Sequence, residues 1–272
     1  QQRSSAASDV YKRQGLLGAG QMMFLKVIVA IDPDQNPKDL EAFLDALNDK
    51  VEIGEDVVVL PGMVADSLEA ASPFENVHDK LLIDATTLVA TDPRSPDEPL
   101  EGSYNQPTPA WRQGTVASDP FDNLEAVEAL PDVRQARMLR DNMLVVSTPV
   151  VGTPSPRTGQ HEGDDAQEAQ RIEQINRLRD SIWQLDSAKN LRWLFITNDD
   201  LDMTHTKARR RLLWQLTARF DVGRGLTFDE GRDRLCWDAT TPIPSEEHGV
   251  RRWPAVTLHD EETLAKVAAH PE

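Results

Sequence analysis

Apolar residues recur along this chain in two alternating rhythms. Val27-Ile28-Val29-Ala30-Ile31 is a continuous apolar run rich in β-branched residues, the pattern of a strand covered on both faces. Pro33 and Pro37 end it. Leu40, Phe43, Leu44 and Leu47 then fall at i, i+3, i+4 and i+7, one face of a helix. Val57-Val58-Val59-Leu60 predicts a second strand closed by Pro61-Gly62, and Leu81-Leu82-Ile83 predicts a third that runs into Asp84. Strand, helix and strand within about thirty residues predict a βαβ unit with parallel pairing.

The same rhythms return in the second half. Residues 124–139 carry helical spacing interrupted by Pro131, and Met143-Leu144-Val145-Val146-Ser147 predicts a strand. Ile172, Ile175, Leu178, Ile182 and Leu185 mark a long amphipathic helix. A strand over 193–197 follows, then a helix with Leu213, Leu216 and Phe220 inward. Leu226-Thr227-Phe228 and Leu235-Cys236-Trp237 predict short strands, and 260–269 a last helix.

Set side by side, the halves repeat. Leu25-Lys26-Val27-Ile28-Val29-Ala30-Ile31-Asp32 has the form of Leu191-Arg192-Trp193-Leu194-Phe195-Ile196-Thr197-Asn198. Each is followed by a helical stretch, short strands and an identical tetrapeptide, Asp84-Ala85-Thr86-Thr87 and Asp238-Ala239-Thr240-Thr241. Self-similarity at this scale dictates the architecture. The expected fold class is α/β, with two related three-layer units and mostly parallel sheets. The units are residues 15–90 and 143–272, joined by a linker and helix at 91–142, where 91–114 is rich in Pro, Ser, Gly and acid. Residues 1–14 are polar, share nothing with the rest and begin without Met. They read as a disordered or extraneous extension on the C-terminal fragment of a longer protein.

Composition narrows the function classes. A net charge of −17 disfavours nucleic acid, whose phosphates need a basic face, and anionic membrane surfaces. No apolar run approaches the ~20 residues that span a bilayer. The single cysteine, Cys236, cannot form an internal disulfide, which fits a reducing, cytoplasmic setting, and its apolar strand context predicts a buried, inert thiol.

Local chemistry is sparse. Gly15, Gly18 and Gly20 precede a strand instead of following one, which rules out a dinucleotide fingerprint. Asp32 and Asp34, and Asp199, Asp200 and Asp202, stand at strand ends, where carboxylates either hold Mg²⁺ or cap the next helix; capping is the commoner role. The six histidines are scattered, with no i, i+4 pair and no cysteine cluster, so the sequence supports no zinc site. No nucleophile elbow or phosphate-binding loop occurs, and no complete catalytic constellation is legible.

Ala19-Gly20-Gln21-Met22-Met23-Phe24-Leu25-Lys26, followed by the strand 27–31 and Asp32, resembles the start of the C-terminal domain of the UbiD family of decarboxylases. The resemblance continues through Asp66-Ser67-Leu68-Glu69-Ala70-Ala71-Ser72-Pro73, Lys80 and Ile83-Asp84-Ala85-Thr86. It resumes at Leu213-Trp214, Arg219-Phe220-Asp221, Asp238-Ala239-Thr240 and Arg252-Trp253-Pro254. It implies a carboxy-lyase that removes CO₂ from an aromatic or unsaturated acid, of the ubiquinone or menaquinone biosynthesis type. The implied cofactor is prenylated FMN with a divalent metal, Mn or Mg, in the full-length parent. By the same resemblance Lys26 is the cofactor-contacting lysine, and Met22, Met23, Phe24, Val64 and Leu68 flank the substrate pocket. The family's metal ligands and acid-base groups lie upstream and have no counterpart here. The fragment alone is therefore expected to bind no cofactor and to be inactive, serving cofactor-site closure and assembly with the parent's upstream domains, in a homo-oligomer. Glu55-Asp56 stands where the family has Arg-Asp, and Arg192 and Trp193 depart from the family in the second copy, which reads as a non-catalytic duplicate. The competing class is a non-catalytic α/β interaction or receiver-like module.

Overall fold

The structure, a computed structural model, describes residues 15, 17–86, 119–149, 165–199, 203, 208–251, 265, 266 and 269. The extension at 1–14, the stretch 91–114 and most of the helix expected at 260–269 lie outside the described residues.

In the first half, strand β1 (Val27–Ile31) leads into helix α1 (Leu40–Lys50), whose start is capped by Asp39 accepting from the amides of Glu41 and Ala42. A one-turn helix, α2 (Ile53–Asp56), turns the chain into β2 (Val57–Val64), and β3 (Val77–Ala85) completes the sheet in the order β1-β3-β2. β1 runs parallel to β3, and β2 runs antiparallel to it. The parallel β1–β2 pairing predicted from the strand-helix-strand spacing is thus corrected. The extra turn at α2 reverses the chain, and β1's parallel neighbour is β3. β2 also passes through Pro61-Gly62, because Gly62 takes φ +66° at a register shift between Leu60 and Met63.

The second half holds α3 (Leu124–Glu128), β4 (Gln135–Arg140), β5 (Met143–Thr148), α4 (Asp165–Trp183), β6 (Trp193–Asn198), α5 (Ala208–Ala218), α6 (Val222–Gly225), β7 (Leu226–Phe228) and β8 (Leu235–Asp238). Its sheet has the order β4-β5-β6-β8-β7, parallel in the middle and antiparallel at both edges. Both sheets are therefore mixed, where the apolar runs had implied mostly parallel ones. The helical spacing over 124–139 also resolves differently: only Leu124–Glu128 is helical, and Gln135–Arg140 is an edge strand. In α5 it is Leu212 that is buried, while Leu213 is exposed and Phe220 is buried beyond the helix end.

The repeat holds to the register. Val27 pairs with Leu81 as Trp193 pairs with Leu235, and Ala30 with Asp84 as Ile196 with Asp238. Val57 pairs with Ile83 as Leu226 pairs with Trp237. Each repeat aspartate closes the same turn: Asp84 Oδ1 accepts from the amide and hydroxyl of Thr86, and Asp238 Oδ1 from those of Thr240.

The two units are built into one another. One buried apolar cluster contains Val57, Leu81 and Ile83 of the first sheet and Val145, Trp193 and Trp237 of the second. A second cluster lies on the far face of the second sheet, under α4, with Leu144, Leu194, Ile196 and Cys236. Polar contacts cross the seam in both directions. The Lys26 ammonium donates to the Phe220 carbonyl at 2.7 Å, and the Arg192 guanidinium donates to the Asn48 carbonyl at 2.9 Å. Gly54 and Gly223, the second residues of α2 and α6, each face the other unit: a Cβ would lie 3.3 Å from Arg232 O at the first and 2.8 Å from Asp79 Oδ2 at the second.

Gly225 has less room still, since a Cβ there would lie 2.7 Å from the Asp238 carbonyl oxygen and 2.8 Å from the Phe220 ring. Gly225→Ala should therefore cost about 1–3 kcal/mol, the range for overpacking. It should appear as a lower urea midpoint with an unchanged m-value. An unaltered midpoint would show that the end of α6 yields freely.

Candidate functional site

The residues singled out in the sequence lie in the first unit, around the entrance to β1. Met22, Met23 and Phe24 belong to a short 3-10 turn, Gly20–Phe24. The turn is held from beneath by Lys80. Its ammonium, buried in β3, donates to the carbonyls of Met23 at 2.7 Å and Leu25 at 2.8 Å and lies 3.2 Å from His78 Nε2. Those three contacts use all three N–H bonds of Lys80. His78 and Lys80 share a face of β3 because strand side chains alternate.

Lys26 is not a solvated surface lysine. It is 9% exposed, and besides Phe220 its ammonium pairs with Glu69 Oε1 at 3.0 Å. Burial pushes its pKa below the ordinary lysine value, with Glu69 opposing the shift. Glu69 follows Leu68 in a turn tied to the second unit, where Arg224 donates to the carbonyls of Ala71 and Gly249. Leu68 itself is 87% exposed, and Val64, paired with Val77 at the end of β2, is also exposed. Met22, Leu25, Val58 and Phe74 add to the apolar surface, with Phe74 bridged to Val77.

His78 is the member the sequence did not single out, although the alternation His78, Lys80, Leu82, Asp84 could have marked it. Its Nε2 accepts from Lys80, so the ring proton sits on Nδ1. That donor is buried and has no partner among the described residues. Burial, then the charges of Lys80 and Lys26, hold its pKa down at about 4.

The strand-end acids do not gather. Asp32 pairs with Lys50 at 2.5 Å, and α1 is capped by Asp39 instead, while Asp200 and Asp202 lie outside the described residues. Among the described residues no group of three or more His, Cys, Asp or Glu could hold a metal ion. Cys236 is buried, and desolvation raises its thiol well above the ordinary range. Ser245 Oγ lies 2.9 Å from His248 Nδ1, but Asp165 accepts from the serine and not from the imidazole. The base is thus unoriented, and this is no nucleophilic triad.

Residues 12–85 match the family model of the 3-octaprenyl-4-hydroxybenzoate carboxy-lyase C-terminal domain. The chain carries a UbiD-family C-terminal region. It is 36% identical over 100 residues to a phenolic acid decarboxylase of Escherichia coli O157:H7, covering 35% of this chain and 20% of that protein. A phenolic acid decarboxylase of Bacillus subtilis (strain 168) is 29% identical over 96 residues, 33% of this chain and 19% of that protein. The chain thus spans about a fifth of the length of these relatives. Among solved structures, the closed form of Sedimentibacter hydroxybenzoicus vanillic acid decarboxylase is similar with a TM-score of 0.30 and 26% identity, over 46% of this chain and 22% of that one. The matched UbiD segment contains Lys26, Lys80, His78 and the exposed apolar residues, and the second unit lies beyond it. Among the described residues no helix is long and apolar enough to cross a membrane.

The depressed His78 pKa carries a pH dependence. The unfolded imidazole protonates near its ordinary 6.5, and the folded one near 4. Stability present above pH 6.5 should therefore fall as the pH drops from 6.5 to 4. His78→Gln, which keeps an acceptor for Lys80, should flatten the stability–pH curve in that window when urea midpoints are compared. Parallel curves for the two proteins would show that His78 does not carry the slope.

Proposed function

We propose that this chain is the C-terminal part of a UbiD-like carboxy-lyase acting on an aromatic or unsaturated acid, of the quinone-biosynthesis type, with the first unit closing the prenylated-FMN pocket. The observation that supports the reading most is an asymmetry between the repeats. In the first unit Met22, Leu25, Val64, Leu68, Phe74 and Val77 are exposed apolar residues near a buried lysine, whereas among the described residues of the second the large exposed apolar side chains are Leu213 and Trp214. An apolar surface of this kind marks a docking face. The occupant proposed is the parent's upstream catalytic domains, since the match covers only about a fifth of the relatives' length.

The residues of the first unit fit a phosphate-bearing cofactor. Two of the three Lys26 N–H bonds are used among the described residues, and the His78 Nδ1 proton lacks an acceptor. A phosphate would supply acceptor oxygens, and lysine meets phosphate as a mobile point charge. Prenylated FMN, when bound, supplies the chemistry of C–C cleavage. Lys26 would hold its phosphate, and Met22, Met23, Phe24, Val64 and Leu68 would wall the pocket and exclude water. A divalent metal would draw its ligands from the upstream domains. The fragment alone would then turn over nothing. The second unit is a non-catalytic duplicate: Arg192, at the position of Lys26, turns its Nη1 to the carbonyl of the first unit's Asn48. Cytoplasmic location and homo-oligomeric assembly belong to the same reading.

A hydrogen bond to a charged group contributes about 1.5–3 kcal/mol, so Lys26→Ala in the full-length parent should weaken cofactor binding roughly ten- to a hundred-fold. Arg192→Ala breaks the opposite seam contact and serves as the control for mere loosening, so it should retain the cofactor. Affinity for prenylated FMN and the apo melting temperature are measured for both. Retention by Lys26→Ala equal to that of the wild type would remove Lys26 from the cofactor site.

A further inference from the structure

The seam between the two units is not filled. A partly open apolar cavity of about 260 Å³ lies between α1, α5 and the facing sheets. Both units line it. Val27, Val29 and Ile83 come from the first sheet, and Trp193, Phe195 and Trp237 from the second. Leu44 of α1 and Leu216 of α5 stand at the helical side, with the exposed Leu213 at the rim.

Three properties define what could enter. The first is size. Protein interiors are close-packed, and an apolar cavity near 150 Å³ already stays dry and takes up benzene. This one is larger, enough for two fused rings. The second is polarity. No titratable side chain lines the space, and the one hydroxyl, Thr217 Oγ1, donates back to the helix carbonyls of Leu213 and Trp214. An ionised guest would lose its hydration with at most the Trp193 indole N–H, buried and without a partner among the described residues, to replace it. The third is shape. Trp193 and Phe195 lie nearly parallel, 9° apart with centroids 6.2 Å from each other, and Phe195 to Trp237 spans 6.0 Å. Such a wall of rings offers offset-stacked and edge-to-face contacts to a flat ring.

We infer that the cavity between α1 and α5 is a binding site for an uncharged, planar aromatic molecule of up to two fused rings. Lys26 adjoins Val27 in the chain but is not among the lining residues, so the site is distinct from the Lys26 ammonium. It exists only because the repeat is duplicated: each unit contributes half of the lining, and neither encloses it alone. A guest there would also bridge the units, stabilising the folded chain by mass action.

The test uses the whole chain with naphthalene and, as its charged counterpart of matched ring size, 2-naphthoate. Naphthalene should raise the melting temperature and shift the indole N–H resonances of Trp193 and Trp237 in a two-dimensional ¹H–¹⁵N spectrum. 2-Naphthoate at the same concentration should do neither. Leu44→Trp, which places a ring in the cavity, should abolish both effects of naphthalene. Leu216→Phe provides a second filling variant should Leu44→Trp fail to fold. The inference is overturned if naphthalene moves neither resonance, if the carboxylate acts equally, or if a folded filling variant responds like the wild type.

Discussion

Everything in this chain rests on two small sheets sharing one core. A small sheet is stable only when its hydrophobic face is covered. Here that face, with Leu81 and Ile83, is covered by Trp193, Trp237 and Phe220 of the repeat. The cations at the head of each copy's first strand then lock the pair. Lys26 reaches a carbonyl at the end of α5, and Arg192 reaches one near the end of α1. Both donors are buried, so their cost of desolvation is met only while the partner unit is in place. Duplication is thus the device that makes either unit stable, and the glycines at Gly54 and Gly223 are what allow the backbones to close on each other.

The two related scaffolds differ in how their equivalent residues are engaged. In the second unit the repeat aspartate is consumed structurally. Asp238 Oδ2 accepts from Arg171, which also pairs with the buried Glu168, and Glu168 accepts from the amide of Ile243. That network ties the end of β8 to α4, and sheet and helix close over an apolar cluster. Among the described residues no such helix packs on the first unit; a short turn pinned by Lys80 lies at the entrance to β1, and apolar side chains are exposed around it. Among the described residues, the copy that matches the UbiD family model is therefore the one with more exposed apolar surface.

How much of this was legible depends on the range of the interaction. Strands β5 and β6 announce themselves as unbroken apolar runs because they are buried throughout, β1 does so although only Ile28 in it is fully buried, and α1 and α4 do so by their apolar stripe. Direction is not encoded in such a stripe, so the antiparallel course of β2 could not be read: it turns on the single helical turn Ile53–Asp56. β4 misleads because an edge strand carrying Arg137 and Arg140 is only half covered, and its partly buried residues fall at spacings a helix also uses. Lys26 was legible as a position and not as an environment. Its carbonyl partner is 194 residues away, and its fate as a buried, paired ammonium follows from the duplication. His78 was missed because a lone histidine is ordinary until the strand places it beside two lysines.

The central claim, that the two units stand or fall together, can be measured at one pair of equivalent hydrogen bonds. The amide of Leu81 donates to the Lys26 carbonyl in the first unit, and that of Leu235 donates to the Arg192 carbonyl in the second. Native-state hydrogen exchange at these two amides, followed through low concentrations of denaturant, reports the opening free energy of each unit. If the seam makes one cooperative structure, both protons exchange through the same global opening, with equal free energies and equal denaturant dependence. Exchange of Leu81 at a distinctly lower free energy than Leu235, or the reverse, would mean that one unit opens while the other stays folded, and would contradict the shared core.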